Sequence, residues 1–396
     1  MQASFQRTFL LLLVIVLATA VGAWFSLYNN FFSWDLIPYL GVVLGYDGMQ
    51  GAALHQAVFT NVQQLPADVV PALLHEVPYR EQCLNDASFF EAQLGFYRVK
   101  PLFTGMVYAG YKAGLHWWTA MRIPGIIGFA GMATVLYLWV RRMVKPGWDL
   151  GVTTLLLFGY ATQLARLTTP DALASFLTLT LFYVLFWHGR QKAIVLVLLL
   201  LLTLTRIDLL LLCIPVLLLW WSPASLTQLW KQHLTKILIA GGLLLILAFI
   251  IPMLFGNSWE WYFNYSMTQS LKQYVVHAGR SFRQLSGTWL PLFFVLLLMT
   301  WPVQQPKWPW LLGGMLGVIA IRWLLFPAFQ ERFFVGYEMV MACYLLQVWQ
   351  QAAAGCWYFY QTIATSSSRF IKVDIVCLRI FNRVQFCEKA GHHTHL

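Results

Sequence analysis

The sequence predicts an all-α protein: a polytopic transmembrane helical bundle of about ten spans, with juxtamembrane helices in a long first outer loop. Only 10% of the 396 residues are charged and 59% are hydrophobic, whereas soluble domains carry about 25% charged residues. So few charges cannot cover a surface exposed to water. Leucine-dense runs recur along the chain, at residues 9–17, 194–204, 208–219, 243–251 and 290–299. They are continuous rather than alternating, which excludes a β-barrel.

The net charge and the cysteines exclude two further classes. Basic membrane proteins carry Lys and Arg in their cytoplasmic loops, so the formal charge of +11 does not predict a nucleic-acid partner. The six cysteines form no CxxC pair, and we predict free thiols rather than a zinc site or a disulfide framework.

The first predicted span covers residues 9–28. Arg7 and no acid precede it, and no small-residue cleavage site follows a short apolar core, so we interpret it as an uncleaved signal anchor. The further apolar segments are residues 122–140, 150–165, 171–187, 193–205, 208–221, 237–255, 289–302, 309–325 and 334–350.

The segment 101–118 decides the topology. It is apolar enough to span but contains Lys112 and three glycines. If it lies in the interface as an amphipathic helix, the basic residues of the later loops face the cytoplasm, as the positive-inside rule requires. These residues are Arg141, Arg142, Lys145, Arg190, Lys192, Lys231 and Lys236, together with Arg7 and Lys307. We therefore predict an interfacial segment and cytoplasmic N- and C-termini.

Two consecutive predicted spans are short. The segment 193–205 is about 20 Å long at about 1.5 Å per residue, against a hydrocarbon core of about 30 Å. Arg206 and Asp208, which lie between the two spans, are therefore placed below the outer interface. Charges at that depth must be paired or hydrated, which predicts a cavity open to the outer side.

This topology divides the chain into a membrane domain, residues 1–350, and a cytoplasmic tail, residues 351–396, which we expect to be partly disordered. The long outer loops are residues 30–120 and 256–288. The first carries seven of the fifteen acids and is predicted to be a folded subdomain. The second carries Lys272, Arg280 and Arg283 against Glu260 alone. Cations held outside predict an anionic ligand such as a phosphate, with lipid headgroups as the alternative.

Several outer-side motifs together resemble the GT-C superfamily of polytopic glycosyltransferases, in particular its protein O-mannosyltransferase, aminoarabinose transferase and Rgt-like branches. The resemblance covers roughly residues 5–350. The motifs are Ser33-Trp34-Asp35-Leu36-Ile37-Pro38-Tyr39-Leu40, Tyr97-Arg98-Val99-Lys100-Pro101-Leu102, Met121-Arg122-Ile123-Pro124-Gly125, Thr169-Pro170-Asp171-Ala172-Leu173, Arg206-Ile207-Asp208 and Glu331-Arg332-Phe333-Phe334.

The resemblance implies transfer of a sugar from a polyprenyl-phosphate-linked donor to a glycan, glycolipid or protein acceptor on the outer face of a bacterial inner membrane. A hydroxyl acceptor needs a base, and a leaving phosphate needs fixed positive charge. By resemblance Asp35 is the catalytic base, supported by Tyr39, Asp171 and Asp208. The candidates for binding the donor phosphate are Arg98, Lys100, Arg206, Lys272, Arg280, Arg283 and Arg332.

No metal or other cofactor is predicted. Many relatives carry adjacent acids or a DxD or ExD arrangement in the first loop, whereas here Leu36 follows Asp35 and the next acid is Asp47.

Each site residue also has a purely structural interpretation. Asp35 follows Ser33 and can be a helix cap or first-turn acid. Thr169, Pro170 and Asp171 make a complete helix start. Arg206 and Asp208 can be a buried pair that joins two short helices, and Arg332 can pair with Glu331.

Two further functions stay open at this point. A transporter or flippase for a lipid-linked or amphipathic solute would use Arg206 and Asp208 as midplane charges. No inverted repeat is apparent and acids within the spans are few, which disfavours ion-coupled transport. The third interpretation is a scaffold that keeps the fold without activity.

Overall fold

The computed structural model describes residues 2–28, 31–145, 147–158, 164–188, 191–221, 226–256, 271–286, 295, 308–325 and 331–366. Every secondary-structure element within these residues is helical, which confirms the predicted all-α class. Among the described residues, three helical stretches are long and apolar enough to cross a membrane: Thr8–Tyr28, Trp117–Val140 and Lys231–Leu254. Their length and composition support a membrane protein.

Seven short helices follow the first long helix, α1 (Gln2–Tyr28), in the segment predicted to be the first outer loop. They are α2 (Leu36–Gly45), α3 (Gly51–Val62), α4 (Val70–His75), α5 (Pro78–Asn85), α6 (Ala87–Arg98), α7 (Pro101–Lys112) and α8 (Trp117–Ala120). Leu36, Leu54, Phe90 and Phe103 are almost fully buried in a core that these helices share. The segment is thus a folded subdomain.

The subdomain core depends on close packing of α2 against α6. Gly41 of α2 faces Phe90 and Leu94, and a β-carbon built on it would lie 3.1 Å from the Phe90 ring. Helix α6 begins at a well-formed cap, because the Asp86 carboxylate accepts hydrogen bonds from the backbone N–H groups of Ser88 (2.9 Å) and Phe89 (3.1 Å). This packing fixes the two helices that carry Tyr39 and Tyr97.

The predicted interfacial segment 101–118 is divided between α7 and α8, which are separated by Gly114 at φ +89°. Helix α7 has 12 residues, or about 18 Å at about 1.5 Å per residue, which is shorter than the hydrocarbon core of about 30 Å. Helix α7 packs against α2 and α8 of the subdomain. Its length fits a helix that does not cross the membrane.

The helices of the rest of the chain follow, and a second, larger core lies mainly among residues 129–216 and 315–348. They are α9 (Ile123–Val140), α10 (Asp149–Phe158), α11 (Asp171–Trp187), α12 (Lys192–Thr205), α13 (Cys213–Trp221), α14 (Leu226–Leu254), α15 (Leu271–Ser286), α16 (Trp308–Leu325) and α17 (Val335–Ser366), with 3₁₀ helices at Ile207–Leu212 and Glu331–Phe333. Helix α17 continues well beyond residue 350, so the boundary that we predicted there lies inside a helix.

Helix ends that carry charged residues meet at one end of the bundle. Helices α9 and α11 run in parallel and so closely that a β-carbon on Gly128 would lie 2.4 Å from the Ala172 carbonyl carbon. Gly336, near the start of α17, lies against Ser175 of α11. The beginnings of α11 and α17 are therefore neighbours, and the side chains on either side of them can interact.

Candidate functional site

A cluster of charged side chains lies where the subdomain meets the bundle. We call it the outer charge cluster, after the side of the membrane that the sequence predicts for it, and define it by three carboxylates and four cations: Asp35, Asp171, Asp208, Lys100, Arg206, Arg322 and Arg332. Six of these seven residues were predicted from the sequence, and they come from segments far apart in the chain. The cluster thus has one cation more than it has acids.

Asp35 is the most exposed carboxylate of the cluster, with 27% of its side chain accessible. It directly precedes α2, yet its side chain makes no capping hydrogen bond to that helix. Its oxygens instead accept hydrogen bonds from Arg332 Nη2 at 2.8 Å and from the Tyr97 hydroxyl at 3.1 Å. The helix-cap interpretation of Asp35 therefore does not fit the structure.

The surroundings of Asp35 keep it ionised. Burial by itself raises its pKa, but the charges of Arg332 and Lys100 and the hydrogen bonds from Arg332 and Tyr97 outweigh that effect, so the pKa lies below its ordinary value. Burial and the neighbouring Asp35 charge raise the pKa of Tyr97, which stays protonated and can donate. Asp35 is consequently a carboxylate with two donors and an open side.

Lys100 lies beside Asp35 within an aromatic enclosure. Its Nζ is 5.0 Å from the Tyr39 ring centroid and 4.7 Å from those of Phe96 and Tyr97. Burial lowers the pKa of Lys100 to about 8, although Asp35 acts in the opposite direction. Tyr39 thus supports the site as an aromatic wall for the Lys100 ammonium group.

Asp171 is buried at the start of α11 and joins two arginines. Its Oδ1 accepts a hydrogen bond from Arg206 Nη1, and its Oδ2 lies 3.4 Å from Arg332 Nε. The Thr169 hydroxyl donates to Oδ2 at 2.7 Å. Pro170 occupies the cap position of α11. Thr169 therefore orients the Asp171 carboxylate, and the helix-start interpretation does not account for the arginine contacts.

Asp208 is held by two arginines. Arg206 donates through Nε at 3.1 Å and Nη2 at 2.9 Å in a bidentate pair, and Arg322 Nε donates at 2.5 Å. The predicted pairing of Arg206 with Asp208 is confirmed, but it is one part of a larger chain of ion pairs. That chain runs from Asp35 through Arg332, Asp171, Arg206 and Asp208 to Arg322.

Phe333 lies at the centre of the arginines. The guanidinium carbons of Arg206, Arg322 and Arg332 are 4.3, 4.4 and 5.3 Å from its ring centroid. An aromatic ring between like charges gives each guanidinium a favourable cation–π contact and keeps the planar groups in fixed orientations. The ring thus helps to hold three cations in one small volume.

The cluster as defined does not include the remaining predicted phosphate ligands, Arg98, Lys272, Arg280 and Arg283. The Arg98 Nη1 atom is directed at the end of α14, 3.7 Å from a β-carbon built on Gly256. Arg280 and Arg283 are exposed on α15, and the side chain of Lys272 lies outside the described residues. The side chain of Glu331, the predicted partner of Arg332, is also outside them, and the described ion pairs of Arg332 are to Asp35 and Asp171.

Sequence reasoning did not single out Arg322, Tyr97 or Phe333. Arg322 had a visible signal, because it is the one charged residue in the apolar segment 309–325, and a charge inside a span marks a functional or paired group. Tyr97 and Phe333 carried no such signal, since tyrosines and phenylalanines recur throughout this sequence. Their role follows only from their position beside charged groups.

No family model matches the chain, and neither does any curated protein or solved structure. Within the part of the chain that the structure describes, no group of three or more His, Cys, Asp or Glu side chains is placed to hold a metal ion.

Proposed function

We propose that this protein is a membrane glycosyltransferase that moves a sugar from a polyprenyl-phosphate-linked donor to an acceptor hydroxyl. The observation that best supports this proposal is the position of the Asp35 carboxylate. It is partly exposed and lies at the edge of a cluster with excess positive charge. A carboxylate can accept the acceptor's proton, and the cations can stabilise the departing phosphate. The acceptor is a glycan, a glycolipid or a protein side chain, and no metal takes part in the proposed reaction.

The proposed roles divide the four cations of the cluster. Arg332 and Lys100 lie beside Asp35 and bind the phosphate. Arg206 and Arg322 are engaged by Asp208, and Arg206 also by Asp171. These two arginines therefore position the site. When the phosphate attracts Arg332, Asp35 loses its ion pair, and its pKa rises towards the ordinary range of a carboxyl group, which makes it a better proton acceptor.

The proposal includes the membrane topology. About ten spans place the outer charge cluster on the outer side of a bacterial inner membrane, with both chain ends in the cytoplasm. The positive-inside rule supports this arrangement, as does the short helix α7. A polyprenyl chain would then lie in the bilayer with its phosphate at the level of the cluster.

A strain that lacks the protein tests the proposed function directly. We expect one glycolipid or glycan species to lose a single sugar residue, as measured by mass spectrometry of extracted lipids and released glycans. Expression of the wild-type chain should restore it. An unchanged profile in the deletion strain would refute the glycosyltransferase proposal.

The pKa of Lys100 predicts the alkaline side of the pH profile. Because Lys100 titrates near pH 8, its charge is present at neutral pH and is lost as the pH rises through that value. The rate of sugar transfer by isolated membranes should fall over the same range. Lys100→Arg keeps its charge at high pH and should move the alkaline decline upward. If both proteins lose activity at the same pH, Lys100 is not the titrating group.

A further inference from the structure

Arg122 is a buried cation that does not belong to the outer charge cluster. It directly precedes α9, and only 2% of its surface is exposed. Its Nε and Nη1 atoms are buried without a hydrogen-bond partner, and no ion pair among the described residues includes Arg122. A buried charge without a counter-charge is strongly unfavourable. A group that supplies negative charge would remove this cost.

The contacts that Arg122 does make leave its donors available. Its guanidinium carbon lies 4.2 Å from the Trp118 ring centroid and 5.7 Å from that of Phe32. Stacking on an aromatic face orients the guanidinium plane but does not satisfy N–H groups at its edge. The aromatic contacts thus hold the donors of Arg122 in place.

A cavity of about 460 Å³ reaches the Trp118 ring on which this arginine stacks, although Arg122 itself does not line it. It is lined by Gln64, Leu65, Pro66, His116, Trp117 and Trp118, so Trp118 is shared by the cavity and by the Arg122 stack. No acid is among the lining residues. The Trp117 Nε1 donor is buried without a hydrogen-bond partner. Trp117 and Trp118 thus connect the cavity to two buried donor groups that lack acceptors, and such donors suit an acceptor-rich, anionic group.

The position of Arg122 narrows the class of ligand. Trp117–Val140 is one of the three stretches long and apolar enough to cross a membrane, and Arg122 lies near its start. The polar headgroup layer is found at the ends of such spans, and phosphate is the anionic group of that layer. The N-terminus of α9 adds the positive end of a helix dipole.

We propose that Arg122, Trp117 and the adjoining cavity bind a phosphate group. The guanidinium supplies the charge and the Trp117 indole N–H a second donor. The phosphate belongs either to a membrane lipid or to a soluble phosphate compound, since both present the same oxygens. This site goes beyond the proposed glycosyltransferase reaction and does not depend on Asp35.

The test uses the purified full-length protein, stripped of lipid, with thermal unfolding as the readout. Two probes separate the sources of phosphate: inorganic phosphate, and nanodiscs of phosphatidylcholine with or without phosphatidylglycerol. We expect one of the probes to raise the unfolding temperature of the wild type. Arg122→Gln should weaken that probe's apparent affinity by at least about tenfold, the loss expected for one charge-assisted hydrogen bond.

Arg80→Gln is the matched control. Arg80 also lies over an indole, that of Trp34, but it pairs with Glu76 at 2.6 Å. Its substitution should leave the response to either probe unchanged. A response that belongs to the Arg122 site should also persist in Asp35→Asn, whereas phosphate bound at Arg332 and Lys100 should respond to the loss of the Asp35 charge.

Stability without added phosphate distinguishes a binding role from a structural one. If the role of Arg122 is to bind a ligand, the Arg122→Gln protein without phosphate or lipid should unfold at the same temperature as the wild type or at a higher one. The reason is that the substitution removes an unpaired buried charge. A lower unfolding temperature of this variant, an undiminished response to phosphate, or a wild type that responds to neither probe would overturn the proposal.

Discussion

Asp35→Asn is expected to abolish sugar transfer while the protein is still made and inserted. The amide keeps the shape of the side chain but cannot accept a proton from the acceptor hydroxyl. Loss of a general base lowers a rate by about a hundredfold to ten-thousandfold. The measurement is the amount of product glycan in a deletion strain that expresses the variant, normalised to the amount of protein in the membrane.

Asp47→Asn provides the control for this experiment. Asp47 belongs to the same subdomain, and it is paired with Lys112 at 2.6 Å and accepts a hydrogen bond from Tyr108 at 2.9 Å. It takes no part in the outer charge cluster, so its variant should keep full product. Unchanged product with Asp35→Asn would rule out Asp35 as the base. Loss on substitution of Arg206 or Asp208, with indifference at Asp35, would instead favour the transporter alternative.

Arg206→Met is expected to lower stability more than any other single change in the cluster. Arg206 binds both Asp171 and Asp208, and its side chain is only 9% exposed. Methionine preserves much of the volume but leaves two carboxylates without their shared cation. Removal of one partner from a buried ion pair costs about 3–5 kcal/mol. Thermal unfolding of the purified protein in detergent should show a clear decrease in the transition temperature.

Two further variants test whether the loss of stability is specific to the buried ion pairs of Arg206. Arg80→Met breaks a pair whose Glu76 side chain is 64% exposed, and pairs of that kind contribute about 0–1 kcal/mol. It should therefore leave the transition temperature almost unchanged. Adding Asp171→Asn to Arg206→Met should restore part of the lost stability, because it removes a buried carboxylate whose remaining described ion pair, to Arg332, is 3.4 Å long. If Arg206→Met unfolds at the wild-type temperature, the ion-pair chain does not hold these helices together.

The Asp35 and Arg206 variants are expected to affect different properties of the same cluster, namely the reaction rate and the stability of the fold. Asp35 is more exposed than Asp171 or Asp208 and lies at the end of the ion-pair chain. Its substitution should change the rate and leave most of the fold intact. Arg206 lies in the middle of the chain, between two buried carboxylates, and should affect stability first. A cluster with this gradient of exposure can keep its inner members rigid while its outer member meets substrate.

Much of the cluster was predictable because charges are scarce in this chain. Asp35, Asp171, Arg206 and Asp208 each follow or precede an apolar helix, where a charge must be paired or hydrated. Arg280 and Arg283 looked equivalent to Arg206 by sign and by predicted side of the membrane. The structure leaves these two exposed on α15, because a charge on the polar face of an amphipathic helix can remain hydrated.

The sequence by itself determined the all-α class, the presence of helices apolar enough to cross a membrane and the short list of charges that a sparse composition makes conspicuous. These properties depend on local periodicity and composition. Only the tertiary structure decided which charges meet. Arg332 and Asp35 are 297 positions apart and still form a 2.8 Å hydrogen bond, and Arg122 is left among aromatic rings without an acid. Such pairings depend on the packing of distant helices, which no local pattern encodes.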